Sequence, residues 1–175
     1  MVEFSILPGL PPYGPPALSF PRPDAFREGL VVEFLTDAGK RWVGNFATSA
    51  SGRTIVRTEL GERAVVVVAS GAGYVVDVAV RQLVRALAAN VQEIWFETSS
   101  GAMIMSNGLW FEAFDTKSVR WRSRRISWDG MRGVRRRDQK IVGDAYSPLD
   151  DGWRSFEVDI ESGAVVGGSY NGPPM

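Results

Sequence analysis

The chain has 175 residues, 45% of them hydrophobic, with nine Phe, six Trp and four Tyr, enough for a buried core in one domain-sized body. Cysteine and histidine are both absent, which excludes disulfides, thiolate nucleophiles, the usual zinc sites, haem ligation by histidine and any mechanism with an imidazole base. Twenty Lys plus Arg balance twenty Asp plus Glu, so no global charge draws the protein to nucleic acid or an anionic membrane, and only the distribution of charge is informative.

The opening stretch, MVEFSILPGLPPYGPP, has no basic n-region and no apolar run of signal length. Nowhere is there a run of about 18 apolar residues. A soluble, cytoplasmic protein of bacterial type is expected, with no membrane partner. Residues 1–23 hold seven of the ten prolines. Proline fixes φ and lacks an amide donor, so this segment is expected to be an extended strap rather than part of a ladder. Phe4, Ile6, Leu10, Tyr13, Leu18 and Phe20 would anchor it. Its PxxP spacings also fit a ligand for an aromatic groove, although the nearest basic residue is Arg22.

Residues 24–175 read as a single β domain. LVVEFLT and RWVGNF around DAGK form one hairpin, and TIVRTEL with RAVVVVAS around GE form another. DVAVRQLVRALAAN disputes the β rhythm. Val80, Leu83, Val84 and Leu87 recur as the stripe of an amphipathic helix, with Asp77 available as its cap.

GYVVDVAVRQLVRAL, LWFEAFDTKSVRWRSRRI and WRSFEVDIESGAVVGGSY share one plan: an aromatic, alternating apolar positions, an acid, a polar turn and a further strand. Each follows another pair of candidate strands, which gives four-stranded units near 54–90, 91–127 and 128–172 with a period of about 40 residues. Trp110, Phe111 and Phe114 within GLWFEAFD are expected to pack between neighbouring sheets.

These units resemble the blade repeats of β-propellers, especially the quinoprotein-like type. Asp115-Thr116 and Asp159-Ile160-Glu161-Ser162-Gly163 match its acidic turn, and Trp121 falls on the outer strand where that pattern places an indole. The resemblance implies an all-β, propeller-like fold. It brings no quinone site and no cofactor, because no binding residues match. Three units and a leading hairpin are fewer than the four to eight blades of most propellers.

Charge is concentrated in one place. From Lys117 to Lys140 there are ten basic residues and two acids, which leaves the rest of the chain acidic. Arg120, Trp121, Arg122, Arg124, Trp128, Arg135, Arg136 and Arg137 form a basic, tryptophan-bearing strip. Arg120, Arg122 and Arg124 would alternate on an outermost strand, where charge prevents sheet-to-sheet association. Arg135 to Arg137 would pair with Asp144, Asp150, Asp151 or Asp159. The same strip could meet an acidic protein partner or, as an alternative, nucleic acid, with the tryptophans stacking on bases.

Carboxylates are the only obvious catalytic material. Asp144, Asp150, Asp151, Glu157 and Asp159 crowd the last unit, but no spacing selects an acid–base pair of the hydrolase kind, and DAYSPLDDGW lacks the ligand register of a calcium loop. The expectation is therefore a non-enzymatic binding protein, of an inhibitor or immunity type. It would engage a protein partner through the basic strip or through Asp150, Asp151 and Trp153, and a homo-oligomer is compatible with it.

Overall fold

A computed structural model describes residues 2–24, 27–36 and 38–173. The described residues contain sixteen strands and no helix, arranged as four four-stranded sheets. The protein is all-β. Among the described residues no helix is long and apolar enough to cross a membrane. The chain divides into two compact units, Met1–Gln92 and Glu93–Met175.

In the first unit, one sheet runs β1–β3–β4–β2 and the other β5–β6–β7–β8. The strands of the first sheet are β1 Glu3–Leu7, β2 Leu18–Phe20, β3 Leu30–Leu35 and β4 Arg41–Phe46. Those of the second are β5 Ile55–Arg57, β6 Ala64–Ala69, β7 Ala72–Asp77 and β8 Gln82–Ala86. Val32, Phe34, Trp42 and Phe46 meet Val65, Val67, Tyr74 and Val76 in one core. Every residue of β6 is buried, as its valine run demands of a strand covered on both faces. Phe20 stacks on Phe46 with ring centroids 5.0 Å apart. The Tyr74 hydroxyl donates to the Ala47 carbonyl at 2.7 Å, and burial pushes the phenol above its ordinary pKa.

One expectation changes here, and one open alternative closes. The strap joins a ladder after all: β1 pairs antiparallel with β3, and β2 pairs parallel with β4. The prolines between these strands, Pro8 to Pro16, leave both free of proline, so their amide donors are intact. The segment that periodicity leaves between helix and strand is a strand, since Gln82–Ala86 pairs with β7 as the repeat plan requires. Asp77 does cap, but it caps a turn: its Oδ1 accepts the Ala79 and Val80 amides at 2.9 and 3.1 Å. Arg81, at φ 59°, then reverses the chain. Tertiary pairing outweighs a periodicity only two turns long.

In the second unit the sheets run β12–β11–β10–β9 and β13–β14–β15–β16. The first comprises β9 Glu93–Glu97, β10 Ala102–Ser106, β11 Phe111–Phe114 and β12 Val119–Arg122. The second comprises β13 Met131–Arg137, β14 Lys140–Ser147, β15 Gly152–Asp159 and β16 Val165–Gly167. Ile104, Phe111, Ala113, Ile126, Ile141, Phe156 and Val158 form its core. All of β11 is buried, in line with the packing expected for GLWFEAFD.

The four-stranded antiparallel meander therefore occurs three times, and each copy has an acid where its third strand turns. Asp115 Oδ1 accepts the Lys117 and Ser118 amides at 2.7 and 2.8 Å. Asp159 Oδ1 accepts the Ser162 amide and hydroxyl at 2.8 and 2.6 Å. The Ser118 amide is the main cause of a lowered Asp115 pKa, and the Ser162 hydroxyl the main cause of a lowered Asp159 pKa. The fourth sheet is the leading hairpin β3–β4 completed by the two strands of the strap.

Candidate interaction surface

The basic strip divides by function, and the division follows from where each guanidinium can reach. β12 is the edge of its sheet, as alternation predicts. Arg120 pairs with Asp115 at 3.0 Å and also donates to the Ser100 carbonyl. Arg122 lies opposite Glu112 on β11 and donates to its Oε2 through Nε at 2.9 Å and Nη2 at 2.5 Å, with its guanidinium 4.6 Å from the Trp110 ring centroid. Glu112 is buried.

Beyond β12 the arginines serve the backbone. Arg124 donates to the Arg125 and Gly167 carbonyls at 3.0 and 2.6 Å. Arg125 donates to the Ser127 and Trp128 carbonyls at 2.9 and 2.8 Å and lies over Tyr170 at 4.7 Å. Trp128 packs against Tyr170, centroids 4.5 Å apart. These contacts bind the C-terminal segment to the 124–128 loop.

Trp121 is likewise engaged inside the unit. Its indole N–H donates to the Ile160 carbonyl at 2.9 Å. Its ring lies over Gly163, where a Cβ would stand 2.5 Å from Trp121 Cε3 and where φ is +73°. Glycine is thus required there both by conformation and by the indole. Trp42 does the same in the first unit, donating to the Val78 carbonyl at 3.1 Å. Both acceptors belong to the residue that follows a turn aspartate.

The expected pairing of Arg135 to Arg137 with acids of the last unit is corrected. Arg136 reaches across to the neighbouring sheet instead, 2.7 Å from Oε2 of Glu97, a residue of β9 that is fully buried. Burial alone would raise the pKa of Glu97. Hydrogen bonds from the Ser99 hydroxyl and amide, at 2.8 and 3.2 Å, together with Arg136, overcome that and hold it below the ordinary glutamate value. Asp150 pairs with Arg154, and Asp151 accepts from the Tyr146 hydroxyl at 2.7 Å. Arg132 is the residue that finds Asp144, at 3.6 Å.

What remains presented to solvent is one face of the β13–β16 sheet. The register places Arg132, Asp144 and Ser155 in one row, Tyr146 and Trp153 in the next, and Arg135, Val142, Glu157 and Val166 in another. Arg132 lies over the Trp153 ring at 4.0 Å, and Tyr146 packs on the same indole at 5.1 Å. Arg135 donates to the nearby Gly133 carbonyl at 3.0 Å, and Arg137 lends its charge to Glu157, whose pKa is lowered chiefly by Lys140 and further by Arg137. Val166, opposite Glu157, is 71% exposed at the margin of this face, and Leu149 in the β14–β15 turn is 72% exposed.

Arg132 and Tyr146 do not stand out in the sequence. Their importance follows from the strand register, which sets both against Trp153. Glu112 does leave a trace there, as the lone acid inside the apolar strand FEAF, whereas Glu97 ends EIWFE just as Glu93 begins it and is not singled out. Among the described residues no cluster of three or more acids is placed to hold a metal ion.

The fold and this face together define an all-β protein of repeated four-stranded sheets carrying an aromatic, guanidinium-rich surface. No protein-family model matches the chain, and no curated protein matches it significantly.

Proposed function

We propose that this chain is a non-enzymatic binding protein, built of propeller-like units, that engages a protein partner through the solvent face of the β13–β16 sheet. The observation that carries this reading is the Arg132–Trp153–Tyr146 stack beside Arg135 and Arg137. Arginine and aromatic side chains are enriched at the centres of protein interfaces. Here the stack holds Arg132 and Trp153 in place, so less side-chain freedom is lost on binding.

Protein is favoured over nucleic acid by the acids on the same face. Asp144, Glu157 and Asp159 alternate with Arg132, Arg135, Arg137 and Lys140, and Lys140 is already paired with Glu157. A phosphate backbone would meet those carboxylates, whereas a protein can match an interleaved pattern. The lack of cysteine fits a cytoplasmic setting.

Affinity capture from lysate of the source cell tests the proposal. A defined protein is expected to be retained by the wild type and by Arg124→Ala, and lost with Trp153→Ala and with Arg137→Glu. Recovery of nucleic acid with a steep salt dependence, or of the same protein by all four baits, would overturn it.

A further inference from the structure

The edge of β1 is an unfilled strand position. In the first unit, the turn acceptor Thr36 precedes Trp42 by the same interval that separates Asp115 from Trp121. Thr36 Oγ1 accepts the Lys40 amide at 3.1 Å, much as Asp115 accepts the amides of its own turn. Both indoles donate to the carbonyl of the residue after an aspartate. By this correspondence β3 and β4 take the places of β11 and β12, and β1 that of β10. Among the described residues no strand takes the place of β9. The fourth strand of this sheet, β2, lies instead on the far side of β4.

The open edge is also apolar. Phe4 and Ile6 lie opposite Phe34 and Val32, both core residues with 0% exposure, so they share the core face of the sheet. Yet Phe4 and Ile6 are 39% and 51% exposed. The core face thus runs out to a margin that nothing among the described residues covers. Glu3 is the only charge in EFSIL, whereas the edge strand β12 carries two arginines among its four residues. Exposed edges usually carry charge, proline or a bulge to prevent pairing, and β1 has little of this protection.

We propose that this edge pairs with β1 of a second copy of the chain, antiparallel and about a twofold axis at Ser5. The strand is self-complementary in that register. Phe4 faces Ile6 of the other copy twice, an aromatic against a β-branched side chain, and Glu3 faces Leu7 rather than the other Glu3. An even register also keeps Phe4 and Ile6 of both copies on one side, which makes the two core faces continuous. A contact of this kind is closed, since the same strand serves both partners.

The absence of native cysteine makes the test direct. Light scattering after gel filtration is expected to give a mass twice the 19.2 kDa of one chain. The Phe4→Lys/Ile6→Lys variant is expected to run as a monomer with an unchanged circular dichroism spectrum. Ser5→Cys is expected to form a covalent dimer with a short thiol cross-linker, and Glu3→Cys alone to do so at least tenfold more slowly. A monomeric wild type at tens of micromolar would overturn the proposal, and would leave the edge to an extended segment of another protein. A dimer that survives the double lysine variant and that Ser5→Cys fails to cross-link would overturn it equally.

Discussion

Replacing Trp121 by Ala is expected to destabilise the Glu93–Met175 unit by about 3–5 kcal/mol, the range for removing a large aromatic side chain from a packed site. Two separable contributions lie behind that figure. The indole covers Gly163 and packs against the core that contains Ile160, and its N–H satisfies the Ile160 carbonyl at 2.9 Å. Trp121→Phe keeps most of the ring contact and leaves the carbonyl without its donor, so it is expected to cost about 1–2 kcal/mol. Urea unfolding followed by circular dichroism, with the midpoint read at constant slope, distinguishes these cases. Equal losses for Phe and Ala would mean that the hydrogen bond, not the packing, dominates.

Arg136→Ala is expected to cost about 2–3 kcal/mol and its neighbour Arg137→Ala no more than about 0.5 kcal/mol. The difference rests on a single partner. Arg136 neutralises Glu97, whose side chain is 1% exposed, so truncation strands a buried carboxylate. The figure is set below the roughly 3–5 kcal/mol of a fully buried pair because the Arg136 side chain is itself 43% exposed. Arg137 makes no such contact. Glu97 also fixes the sign of an acid dependence. Its native pKa lies below the ordinary glutamate value of about 4.3, so its contribution is complete above that value and is lost as pH falls through the native one. Glu97→Gln should flatten the stability curve over that interval, relative to wild type.

Much of the strand order was legible because pleated alternation and turn residues are local signals. The hairpins β3–β4, β5–β6 and β13–β14 lie where LVVEFLT, TIVRTEL and MRGVRRR place them. What the sequence left open or misjudged has physical causes. Val80 to Leu87 mimics a helical stripe because Val80 lies in the turn before β8 and Val84 at the register shift of the β7–β8 ladder, both exposed, so neither follows a strand alternation. The proline content of residues 1–23 signals an extended strap and hides two proline-free segments, Glu3–Leu7 and Leu18–Phe20, with all their donors available. The fate of the arginines was not legible at all. Arg135, Arg136 and Arg137 are chemically identical neighbours, and only the pairing of two sheets around Glu97 separates the middle one from the others.

The division of the basic strip can be measured residue by residue. Limited modification of the native protein with an arginine-selective dicarbonyl, quantified by peptide mass spectrometry, reports how free each guanidinium is. Arg135 and Arg137 are expected to react first, and Arg122, Arg124, Arg125 and Arg136 at least severalfold more slowly, since their N–H groups are engaged by carboxylates or carbonyls. Modification of Arg124, Arg125 and Arg136 as fast as Arg137 would contradict the assignment, because it would make the whole strip a solvated rim with no internal role.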